Sequence, residues 1–381
     1  MDEYQALIAD VLRDGTYRQS RTGVDTVSTF SHHYTVDLAE GYPLLTTKEM
    51  DTFRWESMLR EVEWYLSGEH HVRTLAEHTG IWDAWADDEG NLPTAYGRFW
   101  RRFPVPARDA ALDGEWWPRV DADWIDWAAD HYDASPDAIR AALDRWVADE
   151  AAGEGVAPAD ETAGTTFDQL RYVVDTLRGD NPMRPPESRR LVVSAWHPAN
   201  ADVSRLPPCH YTFVFSARGD RLDCHLTQRS GDVALGVPFN VAAYALLQTY
   251  VARLTGYEPG TFSHQLVDAH VYAGRGERGA WYADNLEELQ RRLANVEVRD
   301  GYRDVRRWLL DRAPPDEAAE DPANHQYGYD HVPGLLEQLA REPLDAPTLS
   351  VEPRPLDEFG YDDVALADYE SHGGLGFAVA E

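Results

Sequence analysis

The 381-residue chain carries 67 Asp+Glu against 35 Lys+Arg, a formal charge of −32, with 43% hydrophobic residues. That apolar fraction supports a sizeable core and excludes a disordered acidic chain, while the charge opposes broad attraction to nucleic acid or an anionic membrane. Among the basic residues only Lys48 is a lysine, and so acidic a chain repels itself at low ionic strength but is tolerated in concentrated salt.

In chain order, residues 1–20 mix apolar and acidic positions as a short helix does, and they lack the basic and apolar regions of a secretory signal. Residues 24–38 alternate loosely as a strand, and Gly41 and Pro43 break the pattern. A helix is expected over roughly 49–66, with Phe53, Met58, Leu59, Val62 and Leu66 facing inward and Gly68 ending it. Residues 107–162 hold 15 acids, 4 arginines and five of the 13 tryptophans, and read as an acidic insert that packs something. LVVSAW at 191–196 is a strand, 210–230 a hairpin turning at Arg218–Asp220, 237–256 a helix and 266–272 a further strand. Residues 275–330 read as a second insert, helix followed by loop. The pattern predicts one α/β (α+β) domain over 1–381 carrying two surface additions. No apolar run reaches the roughly 18–20 residues of a membrane span, so a cytoplasmic location is expected.

Chemistry concentrates in a few places. Cys209 follows Pro207-Pro208 and precedes His210; a thiolate there would be a strong nucleophile, although successive strand side chains diverge and a buried structural cysteine is the competing reading. Cys209 and Cys224 are 15 residues apart, which excludes a C-x-x-C site. Gln228-Arg229-Ser230-Gly231-Asp232 and Arg21-Thr22-Gly23 offer cations and hydroxyls suited to an anion, as does Arg189-Arg190, though a surface role would explain any one of them. Glu61, on the apolar-patterned helix, could have its pKa raised by burial or stand solvated. Asn240 could read a polar heterocycle edge or cap its helix. Asp268, His270 and Tyr272 share one strand face and suit a sugar better than a metal. The G-x-G-x-x-G and Walker A patterns are absent from the sequence.

These clusters stand in one order: RTGVDT at 21–26, YPLLTTKEM at 42–50, EVEWYLSG at 61–68, IWDAWAD at 81–87, YGRFW at 96–100, SRRLVVSAW at 188–196, LPPCH at 206–210, QRSGDVALGVPFN at 228–240, DAHVY at 268–272 and FAVAE at 377–381. The set resembles thymidylate synthase of the folate-dependent, cysteine-nucleophile class, and with the composition it suggests a halophilic archaeal member. The resemblance implies a three-layer fold with a mixed β-sheet and surrounding helices, and a homodimer whose active sites are completed across the interface. It implies reductive methylation of dUMP to dTMP, with 5,10-methylenetetrahydrofolate as carbon and hydride donor and neither metal nor nicotinamide.

On this chain, the resemblance makes Cys209 the nucleophile on uracil C6. Arg21, Arg229 and Ser230 would bind the phosphate with Arg189 and Arg190 of the partner subunit, and these cations would favour the thiolate. Glu61 would relay protons, Tyr96 would assist at C5 and His210 would support the proton network. Asn240 would read the uracil edge, and Gln228 and Asp232 would also contact substrate. His270 and Tyr272 would hold the 3′-hydroxyl. Trp82, Trp85 and Asp232 would line the folate side, and Ala380-Glu381 would close over the ligands. Gly231 departs from a common cysteine, Gly274 from a common asparagine and Glu381 from a small apolar terminus. Lys48, kept where every other cation is arginine, would order the neighbouring active-site or C-terminal loops. A hydroxymethylase is the nearest enzymatic rival, and a silent dimeric regulator is a rival of another class; the acidic inserts argue against RNA binding.

Overall fold

The alternation in residues 24–38 and 210–272 resolves into a seven-stranded sheet, seen in a computed structural model that describes residues 1–20, 23–50, 52–92, 94–104, 122–149, 165–198, 205–317 and 326–379. The strands run in the order Thr16–Arg18, Thr26–Asp37, Glu258–Tyr272, Arg221–Gln228, His210–Arg218 and Val192–Ser194, and the short Gly231–Asp232 strand also pairs with Glu258–Tyr272. The sheet is mixed: Glu258–Tyr272 lies antiparallel to Thr26–Asp37 and parallel to Arg221–Gln228. The hairpin turns where the sequence places it, with Arg218 paired to Arg221.

One sheet face is apolar because every second residue is: Phe213, Phe215, Leu222, Cys224, Leu226, Phe262 and Leu266 are all buried. The helix Gly236–Thr255 covers this face and is itself buried almost all round, from Val237 through Val251 to Leu254. The helix Phe53–Ser67 turns Met58, Leu59, Val62 and Leu66 into the same core and ends at Gly68, whose φ of 75° suits a residue without a Cβ. Phe53 departs from its expected inward position: it opens the helix and is 63% exposed.

The two stretches read as inserts behave differently. In the first, the helices Ala122–Tyr132 and Pro136–Trp146 form a satellite core around Ile125, Ala128 and Ile139. It docks on the helix Gln169–Arg178, where Asp175 accepts hydrogen bonds from Trp146 Nε1 at 2.9 Å and Arg145 Nε at 3.0 Å. Trp146 is therefore buried, while Trp127 remains exposed; Trp116, Trp117 and residues 150–162 lie outside the described residues. The second stretch is more than a surface addition. Helices Gly276–Leu293 and Asp300–Arg312 send Tyr282, Leu289, Leu293 and Leu309 into the main core. Its charge density hid this, because the acids and arginines occupy the outer faces of amphipathic helices.

Candidate active site

Cys209 ends the Pro207-Pro208 segment just before the first strand of the hairpin, and it is half-buried. Its backbone N–H donates to Tyr96 Oη at 2.8 Å. Arg229, one residue past the end of the returning strand, folds back on the cysteine. Its Nε donates to the Pro208 carbonyl at 3.0 Å and its Nη2 to the Pro207 carbonyl at 2.7 Å, leaving Nη2 3.5 Å from Cys209 Sγ. Burial pushes the Cys209 thiol up and Arg229 draws it back, with a net upward direction. The expectation that local cations favour the thiolate is thus met only in sign by Arg229, since desolvation is the larger influence.

His210 points away from the thiol, as alternation along a strand requires. Its Nδ1 lies 2.7 Å from Tyr244 Oη and its ring stacks on Tyr96 at 3.6 Å. Burial lowers its pKa to about 3, so the imidazole is neutral. Glu61 Oε1 accepts hydrogen bonds from Tyr65 Oη and Trp82 Nε1, each at 2.7 Å. Burial raises the Glu61 pKa against the opposing effect of those two donors. Glu61, His210 and Asn240 line one small cavity of about 10 Å³, close to the least that holds a water molecule.

Asn240 sits in the first turns of the long helix, but its side chain does not cap it; Oδ1 instead accepts from Gln228 Nε2 at 3.0 Å. Asp232 Oδ1 accepts from the backbone N–H groups of Ala234 and Leu235, and Asp232 is paired in register with His270. His270 and Tyr272 share a strand face with Asp268, whose Oδ1 lies 3.4 Å from His270 Nδ1. Trp82 is buried beside Glu61, and Trp85 packs part-buried against the core. Arg189 and Arg190 stand exposed on the turn before Val192–Ser194, outside the hydrogen-bonded cluster around Cys209. Arg21, Ala380 and Glu381 lie outside the described residues.

Lys48 is buried, donates from Nζ to the Ala234 carbonyl at 2.6 Å and sits 5.5 Å from the centre of the Phe377 ring. It therefore touches both the loop after Asp232 and the C-terminal segment. Phe377 packs in turn on His331, whose Nε2 is 3.0 Å from the Ala378 carbonyl. Gly274 has a φ of 91°, and a Cβ there would come within 2.6 Å of Arg278 Cγ, which accounts for glycine at that position.

Sequence reasoning missed Tyr65 and Tyr244. The signal was present: Tyr65 lies four residues after Glu61 and Tyr244 four after Asn240, one helical turn on the same face. Among the described residues, no group of three His, Cys, Asp or Glu is placed to hold a metal ion, and no helix is long and apolar enough to cross a membrane.

Fold and site together describe an α/β enzyme with a cysteine held against a guanidinium, and with a glutamate, a histidine and an asparagine lining one small cavity. The family model of thymidylate synthase matches residues 2–381, and a thymidylate synthase of Haloferax volcanii is 54% identical over 375 residues, 98% of this chain and 95% of that protein. The chain belongs to the thymidylate synthase family, methyltransferases that convert dUMP to dTMP with methylenetetrahydrofolate as cosubstrate. The relative comes from a halophilic archaeon, in keeping with the salt-tolerant composition.

Proposed function

We propose that Cys209 is the nucleophile of this dUMP methylation, and that the residues around it divide the remaining work. The observation that carries the reading is the Arg229 guanidinium, tied to the Pro207 and Pro208 carbonyls and held 3.5 Å from Cys209 Sγ. Arg229 steadies a developing thiolate against the desolvation that otherwise favours the thiol. It and Ser230 face the dUMP phosphate with Arg21, joined by Arg189 and Arg190 of the partner subunit in a homodimer. The sheet face opposite the core supplies that interface; on it Phe30 is 84% exposed and Val192 41%.

Attack by Sγ on uracil C6 makes C5 nucleophilic toward the methylene carbon of the folate. Tyr96, bonded to the Cys209 backbone and stacked on neutral His210, assists removal of the C5 proton. Glu61, whose pKa burial raises, serves the C4 oxygen through the water-sized cavity it shares with Asn240. Loss of that proton expels tetrahydrofolate by breaking its bond to the methylene carbon, which leaves an exocyclic methylene on C5. Hydride transfer from the tetrahydrofolate to this carbon then yields dTMP and dihydrofolate, with expulsion of the Cys209 thiolate from C6. Asn240 and Gln228 hold the pyrimidine edge, His270 and Tyr272 the 3′-hydroxyl, and Trp82, Trp85, Asp232 and Ala380 the folate side. The chain acts as one catalytic unit over 1–381 in the cytoplasm.

The test is product analysis in molar salt with dUMP and methylenetetrahydrofolate. One dihydrofolate per dTMP is expected. A 5-hydroxymethyl product without dihydrofolate would assign the chain to water addition in place of hydride transfer, and an inactive folded protein would favour a regulatory role.

A further inference from the structure

Asn240 belongs to a longer chain of hydrogen bonds that runs across the sheet to a residue no motif flagged. Its Oδ1 accepts from Gln228 Nε2, which also donates to the Ser230 carbonyl at 2.9 Å. Gln228 Oε1 lies 3.1 Å from His264 Nε2, and His264 Nδ1 lies 2.8 Å from Tyr34 Oη. Tyr34 and His264 are direct cross-strand partners, and Gln228 follows on the neighbouring parallel strand, opposite Leu266. Tyr34, Gln228 and His264 are all buried, His264 completely.

The direction of every proton in this chain follows from its fixed end. A backbone carbonyl can only accept, so the Gln228 atom facing Ser230 is Nε2 and the other is Oε1. Oε1 can only accept, so His264 donates from Nε2. Burial lowers the His264 pKa to about 3, leaving a neutral ring whose Nδ1 must then accept, and Tyr34 donates to it. The second Gln228 N–H fixes Asn240 Oδ1 inward. Asn240 is left with its amide N–H groups free for an acceptor and one Oδ1 lone pair free for a donor.

We propose that His264, held by Tyr34, is a positioning residue that acts with the Ser230 carbonyl to hold the amide orientation of Gln228 and through it of Asn240, so that the site reads a uracil edge and refuses a cytosine edge. Uracil presents an O4 acceptor and an N3–H donor, matching the amide so oriented. Cytosine presents an amino donor and an N3 acceptor, which meet like groups at both points, and a buried mismatch of that kind is costly. The inference rests on the reading of Asn240 as the base-contacting residue, and its test separates the two.

Binding of dUMP and dCMP is measured by calorimetry in molar salt for wild type, His264→Leu, His264→Gln, Tyr34→Phe and Asn240→Asp. His264→Leu removes the donor to Gln228 Oε1, one of the two contacts that orient the amide, and leaves the Ser230 carbonyl to hold it alone, so the preference for dUMP should fall by roughly tenfold, the weight of one hydrogen bond. His264→Gln retains a donor near the Nε2 position and should restore most of the preference, which a role in packing alone would not predict. Tyr34→Phe should lower it less than His264→Leu. Asn240→Asp should shift preference toward dCMP; if it does while His264→Leu leaves the ratio unchanged, the relay is refuted and Asn240 stands. If Asn240→Asp has no effect, the base-reading role itself fails. Imidazole ¹⁵N shifts of the wild type give an independent check should a variant fail to fold: an Nε2–H tautomer at His264 is expected, and an Nδ1–H tautomer overturns the proposal.

Discussion

Lys48→Met tests whether the one lysine of this chain is an uncompensated buried base. Lys48 is 2% exposed, its nitrogen bonds one carbonyl, and desolvation lowers its pKa from 10.5 to about 7 against a weaker opposing pull from Asp232. The unfolded chain keeps this lysine protonated up to its ordinary pKa, so between pH 7 and 10 the unfolded state binds the extra proton. Stability therefore rises with pH across that window, at up to about 1.4 kcal/mol per pH unit. Methionine has nearly the same length and no proton to lose. It forfeits the hydrogen bond to Ala234, about 1 kcal/mol and independent of pH, and abolishes the slope. The stability of Lys48→Met minus that of the wild type should accordingly fall by about 3–4 kcal/mol from pH 7 to pH 10. Urea unfolding at fixed molar salt measures it, and tyrosine titrations common to both proteins cancel in the difference. Parallel stability curves over that range would show that Lys48 titrates at its ordinary pKa and that its burial is relieved by contacts other than those described.

Cys209→Ser should retain measurable dUMP binding while losing turnover and the covalent nucleotide adduct seen by denaturing mass spectrometry; wild-type turnover would remove Cys209 as nucleophile. Trp82→Phe deletes one of the two donors that hold down the Glu61 pKa. The acidic limb of the kcat/KM profile should move up by about one pH unit, and an unmoved limb would show that Glu61 does not govern it. Arg101 is buried and joins Asp168, at 2.9 Å, to Asp357, at 2.6 Å, and to the Leu66 carbonyl. Arg101→Met should destabilise by about 3 kcal/mol, because Asp168 keeps its burial and loses its cation; a change in urea midpoint equivalent to under 1 kcal/mol would place the pair with ordinary surface ion pairs.

Elements with a single dominant period were legible in the sequence. The hairpin at 210–228, the helix after Gly236 and the strand carrying Asp268, His270 and Tyr272 show their alternation or helical stripe without help from distant residues. Phe53 faced outward because a helix's first residue has no preceding turn to pack beneath it. The 275–330 stretch misled because its composition is dominated by charge, although Tyr282, Leu286, Leu289 and Leu293 on one helix, and Val305 and Leu309 on the next, recur at core spacing. Within the site, Cys209 was visible beside Pro207-Pro208 and His210, Glu61 as a carboxylate on an apolar-patterned helix and Asn240 as an amide opening a helix, and Tyr65 and Tyr244 were recoverable by counting four along their helices. His264 was not recoverable. Strand sequence shows which face a residue occupies, but register decides that it meets Tyr34 on one side and reaches Gln228 on the other, and register is set by pairing across 230 residues of chain.

Register also resolves the tension between a charge of −32 and anionic substrates. Arg229 reaches Cys209 because the strands His210–Arg218 and Arg221–Gln228 close on each other, bringing residues 20 apart in sequence together. The acid is disposed differently: the described helices of the first insert lie over the helix Gln169–Arg178, where Asp175 is already engaged by Arg145. At molar salt the screening length is about 3 Å, so repulsion from acids more than one side chain away is largely removed. A guanidinium in direct contact with its target loses far less, since ions do not enter between them. Salt therefore selects among the charges of this protein, erasing the general field that opposes an anion and sparing contacts as close as that of Arg229 with Cys209. The same reasoning explains why Lys48 can be a poor electrostatic anchor and still be retained. Its flexible stem and compact head fit a dry passage between Ala234 and Phe377 that a forked guanidinium, with five donors to satisfy, would fill at greater cost.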